Sequence, residues 1–327
     1  WFDLDVLTAS ENSAGKDYNK AAKWYLYPPM PDEVKDIKVQ PTDVESVEDV
    51  DLVFSALPSD VAQEVEPKMA EAGLMVASNA SSYRMEPDVP LMIPEINPDH
   101  LNLLEKQKDN RGWAGSIVTN PNCTTIILLL ALQPLIEEFG VERAFVSTMQ
   151  ALSGAGYGGV KSMEIEDNLI PYIPKEEWKT ENEPLKILGN YESGGIEKAE
   201  IEISASCNRV TVLDGHTESV FLKLGSDATV DDVKKTMREY QSVPQELELP
   251  TAPEYPVIVR EEPDQPQPRT ARHAGTVPGM AVEVGRVRED PVFDNGFRFL
   301  ISGNNAIRGA AGASVLNAEL MKAKNIL

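Results

Sequence analysis

Cysteine is nearly absent from this chain of 327 residues, where Cys123 and Cys207 stand alone. A disulfide framework is thereby excluded as the support of the fold, and a reducing compartment such as the cytoplasm is the natural setting. Histidine is almost as scarce, with only His100, His216 and His273, and no Cys/His spacing of the metal-binding kind occurs, so no metal is expected. Basic residues are in deficit, 30 against 53 acidic ones, which leaves a formal charge of −23. A surface of that sign repels nucleic-acid backbones and anionic lipid, and neither is an expected partner. The acidic residues are scattered along the whole chain, which reads as an acidic solvated surface of the sort a high-salt environment favours. Long apolar runs are missing too. The longest, Ile126 to Leu132, falls far short of the roughly 20 residues that span a bilayer, and no basic-then-apolar secretory pattern opens the chain.

With 42% apolar residues the chain can fill a substantial core, and its length suits two ordinary domains. Phe2 to Thr8 alternates like a strand and stops in the loop Ser10-Glu11-Asn12-Ser13-Ala14-Gly15. A Pro-rich stretch from Tyr27 to Pro31 precedes a short strand at Ile37 to Val39, and Asp51 to Leu57 reads as a buried strand. Ser59 is placed to cap a helix over Val61 to Ala72 that Gly73 closes, and Leu74 to Ala77 is the next strand. Strands alternating with helices predict a parallel sheet with crossover helices up to about residue 120. Beyond Cys123 the pattern becomes α+β, with strands at Arg143 to Gln150, Thr217 to Leu224, Val282 to Val287 and Phe297 to Ile301. Ala199 to Cys207 alternates cleanly and predicts a half-exposed antiparallel strand. Val230 to Tyr240 reads as a helix capped by Thr229, Pro244 to Pro268 as a long loop, and Ile307 to Ala323 as a last helix with small residues at its start. That helix is suited to return to the first domain.

Cys123 follows Asn120-Pro121-Asn122 and opens an apolar helical run. A helix N-terminus favours thiolate over thiol, so this cysteine is a nucleophile candidate, set against the commoner inert buried cysteine. The same N–H groups could hold an oxyanion. His216, in Asp214-Gly215-His216-Thr217, sits at a turn between strands from which it could reach a cleft, although an exposed turn histidine is the plainer alternative. His100 is expected on a solvated face, and His273 suggests no chemistry. Arg209 lies one strand before His216 and could grip a carboxylate, and Arg84, after a Ser/Asn loop, suits phosphate or carboxylate capture. Exposed polar positions are the bland readings of both arginines. The glycine runs Ser153 to Gly159 and Arg308 to Gly312 permit close approach to a ligand.

These pieces together resemble the aspartate-semialdehyde dehydrogenase family, in its archaeal and fungal branch. The resemblance is carried in order along the chain by Asn120-Pro-Asn-Cys-Thr-Thr125, Gln150-Ala-Leu-Ser-Gly-Ala-Gly156, Glu176-Glu-Trp-Lys179, Arg209 with Gly215-His-Thr217, and Asn304 to Gly312. It implies an α/β architecture: a Rossmann-like NADP-binding domain over residues 1–122 plus 303–327, and an α+β catalytic and dimerisation domain over residues 123–302. It further implies that Cys123 attacks 4-phospho-L-aspartate to give a thioacyl enzyme that NADPH reduces to the semialdehyde, with His216 as acid/base and Gln150 orienting the intermediate. The product would feed lysine, threonine and methionine biosynthesis. By the same resemblance Arg209 binds the substrate carboxylate, Glu177 its amino group, Arg84 and Lys179 phosphate, and Asn122 completes the substrate set. Ser10, Ser13, Ser55, Ala56, Leu57, Ser153, Gly154 and Asn304 would contact NADP, and the implied assembly is a homodimer or homotetramer. The family's opening strand and Gly-rich turn have no counterpart at or after Trp1, so the chain is expected to start inside the dinucleotide-binding domain, and Asn12 stands where many relatives carry a basic residue. Acyl-CoA and N-acetyl-glutamyl-phosphate reductases, or a non-catalytic scaffold relative, are the alternatives.

Overall fold

The apolar run behind Cys123 forms a helix over Cys123–Phe139 in which every residue from Thr124 to Leu135 is buried. A helix apolar on all sides must be enclosed, and the rest of the chain is built around it. In this computed structural model residues 1–24 and 28–327 are described; the beginning of the Pro-rich stretch, at Tyr27, lies outside the described residues.

The N-terminal third is a parallel layer structure. Strand β1 (Leu7–Ala9) pairs with β2 (Val39–Pro41), and β3 (Leu52–Ser55), β4 (Met75–Ser78) and β5 (Ser116–Thr119) form a second parallel sheet in that order. The expected strand over Phe2 to Thr8 is confined to Leu7–Ala9, and the one expected over Ile37 to Val39 is displaced to Val39–Pro41. A helix over Ser59–Glu71 crosses from β3 to β4, and Gly73 ends it at φ +103°, a value that side-chain-bearing residues avoid. Ser59 is not its cap. Pro58 holds that position, and the Ser59 hydroxyl instead meets Ser81 Oγ at 2.9 Å. A further helix, Leu103–Arg111, leads to β5.

The remaining strands are β6 (Val141–Gln150), the hairpin β7 (Asn190–Glu192) and β8 (Gly195–Glu197), β9 (Glu202–Arg209), β10 (His216–Leu224), β11 (Val257–Arg260), β12 (Val282–Glu289) and β13 (Gly296–Gly303). Six of them form one mixed sheet in the order β11-β12-β13-β10-β6-β9. The expected antiparallel strand at Ala199 to Cys207 is β9, and it runs parallel to β6. Its alternation correctly put Cys207 inside, but direction was set by the Glu176–Ile187 helix, which crosses between the two strands and packs on β9. The supposed loop Pro244 to Pro268 contains β11, paired parallel with β12, and a short helix at Val243–Glu246. Thr229 does cap its helix, Val230–Glu239, through a reciprocal box with Asp232.

The Cys123–Phe139 helix packs on β10, β12 and β13, and its leucines join Val220, Leu222, Val284 and Phe299 in the largest apolar cluster. The terminal segment begins as a π turn over Ile307–Ala311 and continues as a helix over Gly312–Ala323. Its Leu316, Leu320 and Met321 pack with Met75 of β4 and Val118 of β5, so the chain's end lies against the parallel sheet. Among the described residues no helix is long and apolar enough to cross a membrane.

Candidate active site

The loop after β5 delivers Asn122, whose Oδ1 accepts the backbone N–H groups of Thr124 and Thr125 at 3.0 and 3.2 Å. That cap starts the helix at Cys123 and places its sulfur at the positive end. His216, the first residue of β10, arrives from the opposite side and brings Nε2 to 3.2 Å from Cys123 Sγ. The imidazole is fully buried, and its Nδ1 accepts the Ala151 backbone N–H at 3.1 Å. A ring whose Nδ1 accepts carries its proton on Nε2, and here that proton points at the sulfur. Neighbouring strand ends complete this floor: Gln150 stands beside Arg209 across the β6–β9 ladder, while Met149 opposes Thr217 in β6–β10.

Two glycines make the approach possible. A Cβ on Gly154 would lie 2.8 Å from Arg209 Nη1 and 3.1 Å from His216 Cε1, and one on Gly309 would lie 2.5 Å from Cys123 Cβ. Each glycine run therefore presses on a reactive side chain.

The electrostatics depart from the expectation of an ionised sulfur. Burial, then the Glu176 charge, pushes the Cys123 thiol up to about 12, and Arg84, the Thr124 N–H and Lys179 oppose this without prevailing. Burial likewise drives His216 down to about 3 against the pull of Glu176. At rest the pair is a neutral thiol facing a neutral imidazole. The favourable N–H groups of a helix start act locally, and here the cost of desolvating a charge exceeds them.

The carboxylate whose charge acts on both Cys123 and His216 is Glu176. Its Oε1 accepts from Asn122 Nδ2 at 2.9 Å and its Oε2 lies 3.4 Å from Lys179 Nζ. Glu177, the residue expected there, turns the other way and accepts the Cys207 backbone N–H at 3.1 Å. Glu183 went unforeseen as well. Its Oε1 meets Arg84 Nη1 at 2.9 Å and its Oε2 accepts the Asn122 N–H at 2.7 Å, so one buried carboxylate ties Arg84 to the cysteine's helix. Helical periodicity held the signal, since 176, 179, 180 and 183 share a face that 177 does not. Arg209 is buried with Nη1 on the Ala151 carbonyl, and desolvation lowers its pKa.

On the side expected to hold a dinucleotide, Ser10 O accepts the Ser13 and Ala14 N–H groups in a turn at the carboxyl end of β1, and Lys16 Nζ reaches Asn12 O at 2.6 Å. Ser55 ends β3 and is buried, with Ala56 exposed and Leu57 partly so. Ser153 Oγ accepts from Asn305 Nδ2 at 2.9 Å, while Asn304 turns its Oδ1 to the Ala306 and Ile307 N–H groups. The residue bonded to Ser153 is thus Asn305, which also holds the Gly215 N–H ahead of His216. His100, expected in solvent, is fully buried between Asn97 and the Gly189 carbonyl. His273 is exposed.

Comparison with known proteins agrees with this arrangement. A family profile described as semialdehyde dehydrogenase, NAD binding domain, matches residues 1–104, and one described as semialdehyde dehydrogenase, dimerisation domain, matches residues 132–308. An aspartate-semialdehyde dehydrogenase of Methanothermobacter thermautotrophicus is 54% identical over 98% of this chain and 91% of its own length. The crystal structure of aspartate semialdehyde dehydrogenase with NADP from Candida albicans superposes with a TM-score of 0.91 at 41% identity, over 100% of this chain and 93% of that one. A malonyl CoA reductase (NADP) of Metallosphaera sedula is 38% identical over 98% of this chain and 89% of its own length.

Proposed function

The chain belongs to the aspartate-semialdehyde dehydrogenase family, and on that premise we propose that it interconverts 4-phospho-L-aspartate and L-aspartate 4-semialdehyde through a thioester on Cys123. The observation that carries this reading is the 3.2 Å contact between Cys123 Sγ and His216 Nε2, with cationic Arg84 and Lys179 and anionic Glu176 acting on the same sulfur. Cys123 Sγ attacks the acyl carbon, the C–O bond to phosphate breaks, and inorganic phosphate leaves toward Arg84 and Lys179. Arg209 takes the α-carboxylate, Gln150 orients the acyl oxygen, and Glu176 rather than Glu177 takes the α-ammonium.

That last assignment explains how a resting thiol becomes reactive. The Glu176 charge is one of the two causes that hold the Cys123 proton in place. A substrate ammonium seated on Glu176 cancels it, and the thiol proton passes to a phosphate oxygen of the seated substrate, so the thiolate forms when the substrate is present and the phosphate leaves with that proton. His216 then donates its Nε2 proton toward sulfur, which stabilises the thiolate before attack and again when it departs from the reduced intermediate.

The residues at the carboxyl edge of β1 and β3 fit NADP. Ser10, Asn12, Ser13 and Lys16 offer hydroxyls, an amide and an ammonium at a strand end, the chemistry a ribose phosphate needs, with Ser55, Ala56 and Leu57 beneath the dinucleotide and Ser153 and Gly154 toward the nicotinamide. When bound, NADPH supplies the hydride that reduces the thioester. In this reading residues 1–122 with 303–327 hold the cofactor, and residues 123–302 carry the substrate chemistry and the contact with a second copy. The outer sheet face, where exposed Phe145 packs on Phe221 with ring centroids 6.4 Å apart, suits that contact.

The test is incubation with aspartate semialdehyde, phosphate and NADP+, followed by absorbance of NADPH. Phosphate-dependent turnover is expected. Turnover that requires coenzyme A and ignores phosphate would instead assign the chemistry named for the Metallosphaera relative.

A further inference from the structure

We propose that the cleft between the Leu103–Arg111 helix and the β7–β8 hairpin is a regulatory site for a small polyvalent anion bearing carboxylate or phosphate groups. The cleft encloses about 540 Å³ and is lined by Lys106, Lys186 and Lys198 together with the Asn110 amide, a size usual for metabolite sites. Three lysines in one cleft run against a composition in which acids outnumber bases 53 to 30. The carboxylate on its lining, Asp88, is occupied by Arg111, whose Nε and Nη2 reach its two oxygens at 2.8 and 2.6 Å. Lys106 and Lys198 have no carboxylate partner among the described residues.

Lys186 gives the cleft its consequence. Its side chain is buried, and its Nζ donates to the carbonyls of Arg84, Glu86 and Val89, each at 2.7 Å. With its donors committed it contributes charge alone. Burial brings it down to about 7 against the pull of Asp88, Glu86 and Glu183, with Lys198 adding repulsion, so a further anion in the cleft favours the charged form that clamps the loop. That loop begins at Arg84, whose guanidinium sits on Glu183, and Glu183 holds the N–H of Asn122. Contacts therefore run unbroken from the cleft to the residue before Cys123.

A second basic cleft, of about 210 Å³ around Lys234, Arg260 and Arg286, does not invite the same reading. There Lys234 pairs with Glu261, Arg260 with Glu262, and Arg286 with the Pro263 carbonyl. Two carboxylates, Glu261 and Glu262, line that cleft and neutralise Lys234 and Arg260, whereas the one carboxylate of the first cleft is held by Arg111.

The experiment is calorimetric titration of the full chain with citrate, as a carboxylate probe, and with 3-phosphoglycerate, as a phosphate probe, in wild type and in the double variant Lys106→Gln/Lys198→Gln. Saturable millimolar binding of at least one probe to wild type is expected, weakened at least tenfold in a variant that melts at the wild-type temperature. The probe that binds identifies the anion class. At saturation that probe should also shift the KM for phosphate at least twofold in wild type and not in the variant. This kinetic arm rests on the proposed reaction, whereas calorimetry stands without turnover. Equal binding to both proteins, saturable binding of neither probe, or a KM unmoved at saturation overturns the proposal.

Discussion

Gly309 offers the sharpest test of how the active site is packed. A methyl group in place of its hydrogen would lie 2.5 Å from Cys123 Cβ and 3.0 Å from Cys123 Cα. Ordinary carbon contacts need about 3.5–4.0 Å, so Gly309→Ala forces an opening of roughly 1 Å. Neither atom is the tip of a flexible side chain, and Gly309 is not among the positive-φ glycines, so the strain is steric alone. The displacement falls on the 3.2 Å contact between Cys123 and His216 and carries it beyond hydrogen-bond reach. Misplacement by about 1 Å typically costs on the order of 100-fold in rate, and overpacking costs about 1–3 kcal/mol of stability. Gly309→Ala should therefore lower kcat about 100-fold with little change in KM, and lower the melting temperature by a few degrees. Initial rates, iodoacetamide labelling of Cys123 and a thermal melt read these effects separately. Gly158→Ala, in the other glycine run and facing open space among the described residues, is the control and should change nothing. A Gly309→Ala enzyme within about threefold of wild-type kcat would refute the reasoning, since a near-attack geometry tolerates no such shift.

Glu176→Gln should raise the KM for aspartate semialdehyde about tenfold or more and quicken iodoacetamide labelling of Cys123, because the charge that holds the thiol protonated is gone; Glu177→Gln should do neither, and a reversed pattern would return the role to Glu177. The buried His216 ring stays neutral down to about 3, against its ordinary 6.5. Its contribution to stability is complete above that ordinary value and is lost as pH falls toward the folded value, because the unfolded chain takes up the proton first. Urea melts across that range should show a steeper acid loss for wild type than for His216→Asn, and equal slopes would contradict the burial argument. Thr229→Ala, which removes the cap on Val230–Glu239, should cost about 1 kcal/mol and leave kinetics unchanged; a denaturant midpoint equal to wild type would show the cap to be idle.

Features that depend on neighbours in sequence were legible before any coordinates. Asn-Pro-Asn ahead of an apolar run announced both a helix start and its cysteine, and Thr229 ahead of the helical pattern from Val230 announced a cap that is present. Features that depend on what packs from elsewhere were not. Alternation in β9 reports one buried face and is silent on direction, which the crossover helix decides. Four residues of β11 inside a Pro- and Glu-rich stretch carry too little pattern to stand out. The opposite orientations of Glu176 and Glu177 come from a rotation of about 100° on a helix, fixed by the contact of that helix with β9.

The protonation state of Cys123 shows the same division at the level of chemistry. Sequence could place the sulfur at a helix N-terminus, where backbone N–H groups favour the anion. It could not show that the site buries that sulfur beside a carboxylate, and desolvation with Glu176 outweighs the helix, Arg84 and Lys179 together. In the proposed mechanism, a thiol kept neutral until the substrate's ammonium meets Glu176 would be shielded from alkylation and oxidation in the free enzyme, because the reactive species is the thiolate. Burial, which a motif cannot express, thus decides when the nucleophile exists.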